Sequence, residues 1–191
     1  MPRMFKRLSL GFVGGLLLAS APVAASAQVV DAPARFTAAA VDLNRGTAGT
    51  LEFVVNRWSS DADRDRLLQV MVDQGPEPLL DALKDLPRLG YIRTPGRVGW
   101  DIRFAHHVAA PDGGERIMII TERQMGFREV ANRPRSFDYP FTVIEVTLQK
   151  GGQGDGKAMI ATRIFGDKDT KVMTLENFDI SPVLLTKVKK S

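Results

Sequence analysis

The sequence predicts an α+β domain that is mainly β. It is read as an antiparallel meander forming a barrel or curved sandwich, with a two-helix hairpin inserted near the N-terminal side. Three observations predict it. Residues 60–86 carry the punctuation of two short helices, the chain after Pro87 alternates apolar and polar residues in short runs broken by turn residues, and no helical signal follows residue 87.

The elements follow in order. Between Phe36 and Trp58, two extended segments flank the turn-prone Asn44-Arg45-Gly46, and Leu51, Phe53 and Val55 alternate with Glu52 and Val54. Ser60 is an N-cap residue, and Asp61, Asp63 and Asp65 behind it suit the positive end of a helix dipole. Leu67, Leu68, Met71 and Val72 form one apolar stripe, and Gly75 ends that helix. Pro76 and Pro78 open a second helix with Leu79, Leu80, Leu83 and Leu86 on one face, and Pro87 closes it. Strands are then expected over Val98–His106, Glu115–Arg123, Tyr139–Gln149, Lys157–Phe165, Lys171–Phe178 and Val183–Lys189. Pro111-Asp112-Gly113-Gly114, a glycine-rich loop over 151–156 and Asp167-Lys168-Asp169 are the turns between them. The segments 115–123 and 139–149 are apolar on both faces, which suits an interior on one side and helices or a second sheet on the other. The order strand, helical hairpin, meander resembles fatty-acid-binding-protein-like barrels, where two short helices lid the barrel mouth. That likeness concerns topology and carries no functional residue.

The first 27 residues read as a cleaved secretory signal. Arg3, Lys6 and Arg7 precede an apolar core, Leu8 to Ala21, and Ala25-Ser26-Ala27 supplies small residues for cleavage. The core is shorter than the roughly 20 apolar residues a membrane span needs. Export through a Sec-type signal to the periplasm or beyond is the expectation, with no membrane anchor in the mature form. Residues 28–34 would be a flexible leader and 35–191 a single β-rich domain. The segment also changes the charge. The whole chain carries a net +4, but without those three cations 23 basic and 22 acidic residues remain. With neither a lysine stripe nor an aromatic stacking platform, nucleic-acid binding is not expected.

Catalytic and metal chemistry finds little footing. There is no cysteine, hence no disulfide or thiolate site. His106 and His107 are the only histidines, and neighbours on a strand point to opposite faces. No serine lies in a nucleophile elbow, and neither Gly151-Gly152-Gln153-Gly154-Asp155 nor Asp167-Lys168-Asp169 completes a phosphate or calcium motif. No catalytic residue, metal or cofactor is therefore assigned. Glu122, Glu129, Asp138 and Glu145 are the acids from which a carboxylate pair could be drawn.

Binding chemistry is better represented. Of the 23 basic residues, 15 are arginine, whose planar fork suits carboxylate or phosphate. Two stiff stretches concentrate them, Gly90-Tyr91-Ile92-Arg93-Thr94-Pro95 and Asn132 to Pro140, which includes Arg133, Arg135, Asp138 and Tyr139. Through these two stretches, the second running on to Glu145, the chain resembles a family of small secreted bacterial proteins with no assigned activity. The resemblance implies export and a one-domain architecture. The expected function is that of an exported, soluble, non-catalytic binding domain for an apolar or amphipathic small molecule or a protein partner. Trp58, Trp100 and Phe104 would line the cavity, and Arg93, Arg103, Arg133 or Arg135 would meet an anionic head group. The alternatives are a cell-envelope hydrolase of glycosidase or esterase type using paired carboxylates, and a protein-interaction module.

Overall fold

The computed structural model describes residues 33–125, 138–166, 173–178 and 181–191. The expected signal segment, most of the leader, Arg133, Arg135 and the 167–169 turn lie outside the described residues.

The first hairpin joins β1 (Ala34–Asp42) to β2 (Thr47–Val55) across residues 43–46. β1 takes in Ala34, the final residue of the expected leader, which is buried. The two helices follow as α1 (Asp61–Gln74) and α2 (Pro76–Lys84). Ser60 caps α1 reciprocally: Asp63 N–H donates to its hydroxyl at 3.1 Å, and its own N–H donates to the Asp63 carboxylate at 3.1 Å. The Ser60 hydroxyl, which donates to the same carboxylate at 2.8 Å, and then the Ser60 N–H hold the Asp63 carboxyl below its ordinary range. Gly75 ends α1 and begins α2 at φ 92°, a left-handed conformation that disfavours any side chain.

The remaining chain is β3 (Gly90–Arg93), β4 (Trp100–Ile102), β5 (Phe104–Ala109), β6 (Glu115–Thr121), β7 (Phe141–Leu148), β8 (Gln153–Gly166), β9 (Met173–Asn177) and β10 (Val183–Lys190). All pairs are antiparallel, in the order β4-β3-β2-β1-β10-β8-β7-β6-β5, with β9 also on β8. The sheet is nearly closed into a barrel. The single strand expected over 98–106 is in fact two. β4 pairs with β3, the chain changes partner at Arg103, and β5 pairs with β6. β9 and β10 likewise lie along the same edge of β8, because Thr162 faces both Phe141 and Asn177 while Ala158 faces both Ile144 and Val183. Merging these two pairs turns ten strands into eight chain segments, each beside its sequence neighbour.

The seam of the barrel runs past Arg103. There Ser59 N–H donates to the Ala105 carbonyl at 2.7 Å, and Ala105 N–H donates to the Ser59 hydroxyl at 3.1 Å. Leu89 N–H reaches the Ile102 carbonyl at 2.8 Å, and Arg103 N–H the Ile120 carbonyl at 3.2 Å. Backbone groups that a sheet edge would leave open are satisfied by the chain that leaves β2 and the chain that enters β3.

Close approach of the β7 and β8 backbones explains two of the glycines. The glycine-rich stretch expected as a loop divides instead: Gly151 and Gly152 turn with positive φ, whereas Gly154 and Gly156 lie within β8. A Cβ on Gly154 would stand 1.9 Å from the Thr147 carbonyl oxygen, and one on Gly156 would stand 2.3 Å from that of Glu145. The strand can follow β7 only without those side chains.

Alternation sorts the apolar residues into two cores. Phe36, Phe53, Ile92, Ile102, Ile119, Ile144 and Leu185 point into the barrel and are essentially buried, with the Phe36 and Phe53 rings stacked at 4.7 Å. Their strand neighbours Phe104, Ile120, Val143 and Met159 point outward, beneath Leu67, Met71, Leu79 and Leu83 of the helices. The hairpin therefore lies on the outer face of β5–β8. It does not lid the barrel mouth as the topological likeness implied. α1 also approaches Gly166 so closely that a Cβ there would stand 2.8 Å from Val72 Cγ2.

Candidate functional site

An eight-segment barrel is just wide enough for its own side chains to fill, and the stacked phenylalanines with the surrounding isoleucines and leucines do so here. An open volume lies outside the barrel. Between α1, α2 and the outward rows of β5, β6 and β7 is a groove of about 520 Å³. This falls within the range typical of small-molecule sites, roughly 300–1,000 Å³.

The groove is built from cross-strand rows. The deepest aligns Phe104, Ile120 and Val143, and the hairpin covers it. Next along the strands comes His106, Met118 and Glu145, and beyond that Val108, Arg116 and Thr147. Leu67, Leu68, Met71, Leu79 and Leu83 form the helical wall, and Arg64 reaches the mouth from α1. The wall is continuous apolar surface, while charge is confined to the mouth.

The mouth is internally braced. His106 Nε2 lies 3.0 Å from Asp61 Oδ1, which ties the start of α1 to β5. Asp61 is also 2.8 Å from Arg64, and these two partners, His106 first, hold its carboxyl below the usual range. Arg64 meets Asp65 at 2.9 Å as well. Glu145 pairs with Lys157 of β8 at 2.8 Å. Its cross-strand neighbours are Met118 and Lys157, so no second carboxylate stands directly beside it on the sheet.

Of the residues singled out in the sequence, Phe104 lines this groove. Trp58 and Trp100 instead pack against the barrel interior. Trp58 lies over the His107 ring at 4.6 Å, and its Nε1 is buried without a hydrogen-bond partner among the described residues. Arg93 is held by Glu52 at 2.9 Å and lies over the Tyr91 ring at 5.2 Å, both on the outer face of β2 and β3. Arg103 sits at the seam, where it pairs with Glu122 at 2.8 Å and donates to the Leu86 carbonyl at 2.9 Å, fastening the end of the hairpin to the sheet. Asp138 is exposed. Tyr139 donates to Glu176 at 2.7 Å and packs on Phe178. The described members of the set are thus spread over the interior, the seam and several surfaces, and they converge on no one site.

His106 and His107 do face opposite sides, the first in the groove mouth and the second inward on Trp58. Burial lowers the His107 pKa, the Glu115 charge opposing the shift. Among the described residues no three metal-ligating side chains cluster, and no helix is long and apolar enough to cross a membrane. Apart from Phe104, the binding assignment missed the groove lining, Arg116 and Met118 on its floor among it. The signal that points to them is the two-sided apolarity of β6 and β7, since a strand already buried on its inward face needs a covering element outside.

No protein-family model matches the chain, and neither does any curated protein or solved structure.

Proposed function

We propose that the protein is an exported binding domain for a small apolar or amphipathic molecule, and that the ligand occupies the groove between the helical hairpin and the outer face of β5–β7. One observation carries this reading: the groove is an open, apolar-walled volume with charge only at its mouth, next to a barrel whose own interior is filled. Burying an apolar ligand there removes from water its own surface and what remains accessible of the half-buried Leu68 and Met118 that line the groove. Export is supported by the cation–apolar–small-residue pattern of the first 27 residues and by the resemblance to secreted bacterial proteins.

The test is titration with a neutral apolar fluorophore, N-phenyl-1-naphthylamine, whose emission rises in dry surroundings. Saturable binding is expected for the native chain. Met118→Trp, which extends an indole from the floor into the groove, is expected to weaken it by at least about tenfold, the effect of removing one well-formed apolar contact region of about 1.4 kcal/mol. A native chain that gives no saturable signal, or a Met118→Trp chain that binds equally well with an unchanged thermal midpoint, overturns the reading.

A further inference from the structure

We infer that the natural ligand is a single-chain amphiphile with an anionic head, bound tail-inward under the hairpin and head-outward at Arg116. This rests on the reading of the groove as a small-molecule site and adds the chemistry and direction of its ligand. Three observations combine.

The first is a gradient along β6. Ile120, Met118 and Arg116 project from the same outer face at successive steps of two residues, each about 6.8 Å. Ile120 lies in the covered, wholly apolar row, Met118 between two polar neighbours, and Arg116 in the outermost row beside Val108 and Thr147. A ligand following this floor passes from dry surface to a guanidinium over about 13 Å of backbone. That is the polarity profile of an amphiphile laid along the strand.

The second is the ionic state of the mouth. Three of its four charged or titratable side chains already have protein partners: Arg64 with Asp61 and Asp65, His106 with Asp61, and Glu145 with Lys157. Arg116 alone makes no ion pair among the described residues. A cationic head would find the one carboxylate that lines the groove, Glu145, already paired with Lys157, the nearest other in the outermost row being Asp155, one strand beyond Thr147 and holding the Lys187 N–H, whereas an anionic head finds at Arg116 a fork whose two N–H groups can chelate it.

The third is size. About 520 Å³ is in the lower half of the usual range for ligand pockets, so one chain fits better than a paired-chain lipid.

The experiment displaces N-phenyl-1-naphthylamine from the full chain with decanoate, decanol and decyltrimethylammonium, ligands alike in tail and different in head. Native protein, Arg116→Gln, Met118→Trp and Arg97→Gln (an exposed arginine on the β3–β4 loop) are compared at pH 7.5. Decanoate is expected to bind about tenfold more tightly than decanol, the lower end of what a charge-assisted hydrogen bond gives, and decyltrimethylammonium most weakly. Arg116→Gln should erase the preference for decanoate while leaving decanol where it was, and Arg97→Gln should change nothing. Equal affinity for all three heads in the native chain, or a preference that survives Arg116→Gln, overturns the inference and leaves the groove reading standing. Failure of all three to displace the probe, or displacement unaffected by Met118→Trp, sinks the groove reading itself. A fourth arm offers vesicles of anionic phospholipid. Binding to them that depends on Arg116 and leaves the probe in place would reassign this arginine to a membrane surface and overturn the inference.

Discussion

The two apolar cores of this molecule are made from the same strands and behave oppositely. Ile119 and Ile120 are adjacent in β6, yet one completes a packed interior and the other lies in the covered end of a groove. The inward core has eight chain segments around it, and every vector converges on a small volume. The outward core has only two short helices above it, and they cover the deepest row and leave the next two partly open. Filling is thus decided less by the residues than by how many elements surround them. A strand apolar on both faces has one face satisfied by closure and one that depends on whatever lies above it.

Substitutions can break that comparison, beginning with the largest effect. Phe53→Ala in the interior removes a fully buried ring stacked on Phe36, and the closed wall cannot collapse to fill the space. A loss of about 3–5 kcal/mol in denaturant-derived stability is expected. A loss below about 1 kcal/mol would mean the interior is loosely filled, and the contrast with the groove would fail. Ser59→Ala acts at the seam. It leaves the Ala105 N–H without its acceptor while Ser59's backbone contact remains, and about 1–2 kcal/mol is expected. Amide exchange should quicken at Ala105 and its neighbours before it does in β7 or β8.

The smallest effect is a pH dependence. His107 faces the interior and its pKa is lowered from 6.5 by burial, so the unfolded chain binds its proton more readily than the native one. Its contribution to stability is therefore complete above about pH 6.5 and declines as pH falls from there towards the lowered native value. The thermal midpoint should drop on acidification through that interval in the native chain and drop less in His107→Phe. A midpoint equally sensitive in both chains would assign the effect elsewhere.

Much of the architecture was legible in particular residues. Ser60 and Gly75 delimit α1, Pro76 opens α2, and Pro111-Asp112-Gly113-Gly114 turns β5 into β6, because caps and turns are local chemistry that a linear sequence carries in full. The partner change at Arg103 was not legible. Val98, Trp100, Ile102, Phe104 and His106 read as one face of one strand, whereas Ile102 points inward and Phe104 outward, and only the distant positions of β3 and β6 divide the run. Gly154 and Gly156 read as loop because glycine signals flexibility locally, whereas here it answers the carbonyls of Thr147 and Glu145 on another strand. The assigned binding residues disperse for the same reason. Arg93 and Arg103 were conspicuous by type and neighbourhood, but Glu52 and Glu122, 41 and 19 residues away, engage them. Arg116 looked ordinary in a strand and gains its interest only from what α1 leaves uncovered.

The ladder between β1 and β10 joins the two ends of the described domain, with Phe36 opposite Lys190 and Ser191 N–H donating to the Arg35 carbonyl at 2.9 Å. This imposes an order on biosynthesis. A chain threaded out N-terminus first can form the β1–β2 hairpin early, but the exposed edge of β1 has to wait for the last strand before the cylinder can shut. Until Val183–Lys190 emerges, Phe36 and Phe53 have no completed wall around them, and the nascent sheet offers a ready template to any other extended chain. The final eight-residue strand is thus the step that ends a window of vulnerability, and shortening it would be felt first as aggregation during synthesis rather than as a change at the groove.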